Sequence, residues 1–200
     1  MVNKPAFDQP FHDDVTIRGN VELPVTIVGR VGHQGFVLTY STKDGTDWES
    51  VDELILPPLD PSVFGTKNNR FYVGYTFNQI LYQSQANPQE GAGLFGQFGV
   101  SDGNPNRLHW SVFLGVGGTG LVPGRSQDNW GVGYYYDALA SGLKNLPPPN
   151  PVLRDEQGAE LFYNFAVTPW LALGADLQVI GPSRASETAV LPGLRTVIRF

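Results

Sequence analysis

Cysteine is absent from all 200 residues, and with it disulfides, thiolate metal sites and thiol nucleophiles. Charge is scarce: Asp, Glu, Lys and Arg together make up 16%, against ~25% in an ordinary soluble domain. Histidine is limited to His12, His33 and His109, and no Gly-x-Ser-x-Gly elbow occurs, so a Ser-His-acid constellation has little to be built from. No apolar run reaches the ~18 residues a transmembrane helix needs. The N-terminus, Met1-Val2-Asn3-Lys4-Pro5-Ala6-Phe7-Asp8, lacks the apolar stretch of a signal peptide. A net charge of −6 argues against a nucleic-acid partner, whose phosphates require clustered Lys and Arg. Neither an enzyme nor a cofactor is expected from this inventory.

What is present is 24 Gly, 16 Pro and 12% aromatics, arranged with a period of two. At the C-terminus Leu194, Thr196, Ile198 and Phe200 oppose Arg195, Val197 and Arg199, the spacing of a strand with one mainly apolar face and two arginines on the other. Similar alternation recurs from Val15 to Leu23, Phe36 to Tyr40, Phe71 to Phe77, Ala92 to Val100, Leu108 to Val116, Trp130 to Tyr136, Ala159 to Val167 and Leu171 to Val179, making nine strands with the last. Segments of about 9 to 12 residues match what crosses a bilayer at ~45° tilt and exceed the ~5 to 6 of soluble strands. The expected fold is therefore all-β: an antiparallel transmembrane β-barrel meander over residues 15–200, behind an irregular segment over 1–14. A soluble, lectin-like β-sandwich, hiding its apolar faces between two sheets, is the alternative; only the barrel would require detergent for extraction.

Connection lengths offer an independent check, because barrel strands alternate short periplasmic turns with longer outer loops. With Phe200 at the periplasm, the turns fall at Thr168-Pro169, around Pro123-Gly124, from Gln85 to Gly91 and from Gly29 to Gly32. The outer loops fall at Ser183 to Thr188, Ala140 to Asp155, Asp102 to Asn106 and Lys43 to Asn69, and only Asp102 to Asn106 is short. Trp110, Trp130, Tyr134, Tyr136 and Trp170 are placed as an interfacial girdle.

Two ordered blocks carry a resemblance. One is Gly93-Leu-Phe-Gly-Gln-Phe-Gly-Val-Ser-Asp-Gly-Asn-Pro-Asn106, followed by Trp110-Ser111 and Leu121-Val-Pro-Gly-Arg125. The other runs from Arg154-Asp-Glu-Gln-Gly-Ala-Glu-Leu-Phe-Tyr-Asn-Phe-Ala-Val-Thr-Pro-Trp170 to Asp176-Leu-Gln-Val-Ile180, with Gly131-Val-Gly-Tyr-Tyr-Tyr136 before it. Over about residues 91 to 200 the chain resembles the carbohydrate-selective outer-membrane porins of the OprB type, and more loosely from Val15 to Tyr82. The resemblance implies a sixteen-stranded barrel admitting sugars across the Gram-negative outer membrane. On that footing the chain reads as the C-terminal half of a porin, starting at an internal Met and without its signal peptide. It further implies sugars, outer-membrane lipid and lipopolysaccharide, and the barrel-assembly machinery acting on the C-terminal strand, as partners.

Facing inward on the alternation, the candidate pore-lining residues are Arg18, Glu22, Arg107, Tyr135, Glu160, Asn164, Asp176, Gln178, Arg195 and Arg199. Charged and amide groups bond hydroxyls, and rings such as Tyr72, Phe95, Tyr135 or Phe162 can stack on a sugar's apolar face. Two other patterns read differently. Gly115-Val-Gly117-Gly-Thr-Gly120 fits a dinucleotide fingerprint, but Leu121-Val122-Pro123-Gly124 opens no helix behind it. Asp44, Asp47, Glu49, Asp52 and Glu53 offer oxygen ligands without EF-hand spacing and read as a solvated loop.

Overall fold

The computed structural model describes residues 14–50, 65–146, 152–184 and 187–198. Arg199 and Phe200, His12, Asp52 and Glu53, and nearly all of the expected N-terminal segment lie outside the described residues.

Among the described residues eleven strands form: β1 (Thr16–Ile27), β2 (Arg30–Ser41), β3 (Gly45–Thr46), β4 (Thr66–Lys67), β5 (Arg70–Gln83), β6 (Gly91–Ser101), β7 (Leu108–Thr119), β8 (Asn129–Leu139), β9 (Glu156–Thr168), β10 (Leu171–Gly181) and β11 (Ala189–Ile198). Nine build one antiparallel sheet in the order β1-β2-β5-β6-β7-β8-β9-β10-β11, each beside the strand of this sheet that precedes or follows it in the chain. β3 and β4 make a separate two-stranded hairpin within the β2–β5 connection, and helix α1 (Ser141–Lys144) follows β8. No described helix is long and apolar enough to cross a membrane.

The register keeps the two alternating sets apart across the sheet. One row runs Val21–Phe36–Tyr75–Phe98–Val112–Tyr136, and another Val132–Leu161–Leu177–Pro192. The opposite face carries Glu22–Gly35–Thr76–Gln97–Phe113–Tyr135–Gly158, and further on Asn129–Asn164–Gly174–Arg195. A period of two imposes this segregation, because a one-residue slip would send every side chain to the wrong face.

Apolar side chains do not close into a core. Among the described residues the buried hydrophobics are Ala138, Ala140, Leu143 and Ala172, whereas Leu38, Leu161 and Leu194 are 58%, 56% and 92% exposed. A two-sheet sandwich would bury such groups, and the chain does not form one. Instead the nine-stranded sheet presents a continuous exposed apolar face, with β1 and β11 as its two edges. Aromatic residues stand on that face near its ends: Trp110 stacks on Tyr136 at 5.0 Å and meets Phe98 at 6.5 Å, while Trp170 is 54% exposed in the turn between β9 and β10. Trp130 and Tyr134 share the face by register.

Three irregularities adjust the alternation. The shift between Leu108 and Trp110 leaves His109 as the extra residue of a bulge, so Leu108 pairs with Leu139 and joins the polar face rather than the apolar one expected for it. Further shifts fall between Ile80 and Tyr82 and between Leu171 and Ala172. The first turn is also tighter than expected: Arg30–Gly32 belong to β2, and the hairpin turns at Val28 and Gly29, with φ of 52° and 72°. Two positive φ angles make the turn that matches strand twist, but a β-branched residue is strained there. Val28→Asn is expected to raise stability by about 1 kcal/mol, measured as a higher unfolding temperature of the barrel in detergent.

Candidate functional site

The polar face is where the expected site residues gather. Arg18, Asn20 and Glu22 on β1 project beside Gly35, Val37 and Thr76, lining a cavity of about 370 Å³. Across the sheet Glu160 pairs with Gln178, and Asp176 faces Phe162 on one side and Gly193 on the other. A Cβ on Gly193 would collide with the Asp176 carboxylate, so the bare backbone there leaves room for that side chain. Arg195 sits 3.9 Å from Asp176 across the β10–β11 pair, its own side chain more than half exposed. The Asn164 amide donates to Asn129 Oδ1 at 2.7 Å. Tyr135 donates to Glu156 Oε1 at 3.0 Å. The face thus brings together Arg18 with Glu22, and Glu160, Asn164, Asp176, Gln178 and Arg195, in two groups separated by the width of the intervening strands. Arg107 stands apart from both, one residue before β7.

Aromatics on this face lie against glycines of neighbouring strands. A Cβ at Gly115 would approach the Phe95 ring to 2.5 Å, at Gly131 the Phe162 ring to 2.6 Å, at Gly158 the Tyr135 ring to 2.6 Å and at Gly99 the Tyr72 ring to 2.8 Å. Real Cβ contacts do not fall below ~3 Å, so these four positions need a bare backbone for the rings to lie down on it. Sequence periodicity put the rings on this face; the glycine partners, which set their tilt, come from neighbouring strands and were not legible from it. Gly115 and Gly117, part of the apparent dinucleotide fingerprint, lie within β7 and serve this packing, and Gly120 begins a turn rather than a helix.

The two ends of the sheet are built differently. At one end the β7–β8 turn closes on Asp128, which is completely buried. Its carboxylate receives Arg125 Nε and Nη2 at 2.8 Å each, Tyr163 Oη at 2.5 Å and Ala166 N at 2.8 Å. Arg125 also donates to the Ala166 carbonyl and lies 3.5 Å from the Phe165 ring centroid. Arg125, ahead of Tyr163 and the Ala166 N–H, lowers the Asp128 pKa to about 2. The same exchange keeps the Arg125 guanidinium more firmly protonated than usual.

At the other end three connections pack together. Trp48 donates from its indole to Pro105 O at 3.0 Å and from its backbone to Asn104 Oδ1 at 3.1 Å, and Asn104 returns an amide bond to Asp47 Oδ1 at 2.7 Å. That amide bond holds the Asp47 carboxyl below the usual carboxylate range. Gly142 of α1 abuts Trp48, and Arg70 binds the Lys43 and Asp44 carbonyls. Beside this rim a cavity of about 340 Å³ is lined by Tyr72, Gly99, Ser101, Arg107, His109 and Ser111, among others. Sequence periodicity makes Arg107 a candidate pore residue but gives no sign of Trp48, whose hydrogen-bond partners Asn104 and Pro105 are 56 and 57 residues away in the chain. Among the described residues no three His, Cys, Asp or Glu side chains converge as metal ligands.

Comparison with known proteins bears on all of this. A search of curated protein sequences finds no match. The high-pH structure of Pseudomonas putida OprB superposes with a TM-score of 0.80 at 22% identity, over 93% of this chain and 49% of that one. The chain therefore spans about half the length of that structure, and the likeness establishes the fold of its sheet. A sequence model of the carbohydrate-selective porin, OprB family, matches residues 29–200. The chain belongs to the carbohydrate-selective porin, OprB family.

Proposed function

We propose that this chain forms wall of a water-filled pore in the outer membrane of Gram-negative bacteria, through which sugars diffuse passively. One observation carries the reading: a single sheet whose one face is a continuous exposed apolar surface and whose other face holds ordered polar rows. The first suits lipid and the hydrocarbon of lipopolysaccharide; the second suits water. Strands of 10 to 14 residues in the nine-stranded sheet are long enough for the crossing. The free edges of β1 and β11 carry backbone groups that hydrocarbon cannot satisfy, so in a membrane they pair with further strands to close the barrel. Assembly of that closed barrel starts from the C-terminal strand, where the assembly machinery engages it.

No covalent step is required of such a wall. Arg18 with Glu22, and Arg195 with Asp176, Glu160 and Gln178, offer donors and acceptors in mixed sign, which suits a neutral polyol better than an anion. Tyr135 and Phe162, packed against glycines of the neighbouring strand, supply aromatic surface for the apolar side of a sugar ring. In the sequence Arg199 continues the alternation of Arg195 and Val197.

Liposome swelling with the full-length porin tests the reading directly. Neutral hexoses should enter, and Arg195→Ala should change sugar flux or ion selectivity by about twofold or more while heat-modifiable folding stays normal. Exclusion of hexoses by the native protein would defeat the proposal, and an unchanged Arg195 variant would remove that residue from the selective surface.

A further inference from the structure

We propose that the cavity beneath the outer rim is a sugar-binding subsite in which Arg107 is a contact residue and Trp48 its positioning residue. The inference rests on the pore reading above and assigns a place within it. The cavity has about the volume of a monosaccharide with its hydration, and its walls differ in chemistry. Tyr72 supplies a ring whose one side is taken up by Gly99, and its hydroxyl accepts from Gln97 Nε2 at 3.4 Å. Ser111 shares the polar face by register with Gly99, and His109, the extra residue of the β7 bulge, is directed by that irregularity rather than by the alternation. Arg107, exposed, completes the rim of the cavity. An apolar platform with hydroxyl, imidazole and guanidinium groups around it is the chemistry that takes a neutral pyranose.

Arg107 is a long side chain that would otherwise sample many rotamers, and holding it in place carries an entropic cost. Its guanidinium carbon lies 5.8 Å from the Trp48 ring centroid, within the range of a cation–π contact. Trp48 is itself pinned from two sides: by Asn104 and Pro105 of the β6–β7 loop, and by close packing against Gly142 of α1. Trp48, beside the Asn104–Asp47 hydrogen bond, thereby ties the described part of the β2–β5 connection to the rim of the cavity. The guanidinium reaches a ligand already oriented, and the ordering cost is met on folding rather than on binding.

Sugar-dependent current block by the full-length porin in planar bilayers, with glucose as the probe, tests this. Arg107→Ala and Trp48→Ala should each raise the half-blocking glucose concentration by about fivefold to tenfold. Trp48→Phe keeps a ring for the guanidinium and should recover most of the affinity, which a purely structural role of the indole would not allow. Heat-modifiable migration of each variant monitors folding, and Tyr72→Leu, which keeps bulk on Gly99 but removes the aromatic platform, gives an independent measure of the subsite. Native blocking affinity in Arg107→Ala and Tyr72→Leu would overturn the subsite, and loss in Trp48→Phe equal to that in Trp48→Ala would overturn the positioning role. Glucose entry by the native protein with unaltered variants would sink this inference alone, whereas no entry at all would sink the pore reading beneath it.

Discussion

Asp128→Ala is expected to impair assembly of the barrel and to lower the stability of what does assemble by about 3 to 5 kcal/mol. The carboxylate is fully buried, and its removal takes two hydrogen bonds and the charge partner from Arg125 and leaves the Tyr163 hydroxyl and the Ala166 N–H without their acceptor at once. Since the first of these belongs to the β7–β8 turn and the other two to β9, the loss also unfastens the turn from its neighbouring strand. The same site gives a pH dependence with a defined sign. With its pKa lowered from 3.8 to about 2, the carboxylate contributes stability that is fully present above the ordinary carboxylate range and is lost as pH falls through about 2. Native protein should therefore lose unfolding temperature between pH 4 and pH 2 in detergent, by an amount worth about 2 kcal/mol. Asp128→Asn should show a lower temperature at pH 7 and a smaller fall over the same interval. Equal falls in native and variant proteins would mean that Asp128 is not the titrating group.

Leu177→Arg and Gln178→Arg should part company sharply although the residues are adjacent. Leu177 lies mid-strand in β10 between Leu161 and Pro192 on the apolar face, and Gln178 faces the other way beside Glu160. An arginine facing hydrocarbon near the midplane costs roughly 2 to 4 kcal/mol, whereas one facing water costs little and here gains a carboxylate neighbour. The Leu177 variant should reach the outer membrane in reduced amount and lose heat-modifiable folding. The Gln178 variant should assemble normally with shifted ion selectivity. The reverse outcome would exchange the two faces of the sheet and with them every pore-lining assignment.

Much of this architecture was legible because side-chain period is a local property. Leu171, Leu173, Ala175, Leu177 and Val179 announce a strand, and its facing, without reference to any other part of the chain, and β10 follows that reading. Boundaries were weaker where turn chemistry was unusual: Val28 carries no turn signal, so the first hairpin was placed too far along, at Gly29 to Gly32, when it turns at Val28 and Gly29. Facing failed at Leu108, where an inserted residue reverses the parity of what precedes it, and nothing in the alternation marks an insertion. Candidate residues such as Asp176 and Arg195 could be placed on one face from period alone, but their 3.9 Å approach depends on the pairing of two strands. Trp48 was invisible for the same reason in stronger form: its partners belong to other loops, whose folding no repeat announces.

Among the described residues, each strand of the large sheet pairs with the sheet strands that come just before and after it in the chain, and this has a bearing on how such walls change size. With no distant pairing to preserve, adding or deleting one hairpin leaves every remaining register intact and keeps the strands alternating in direction. A single strand cannot be gained or lost without reversing all that follow. Growth by twos is therefore the step open to a lineage of this kind, and circumference can drift across relatives while the chemistry written along each hairpin is carried over unaltered.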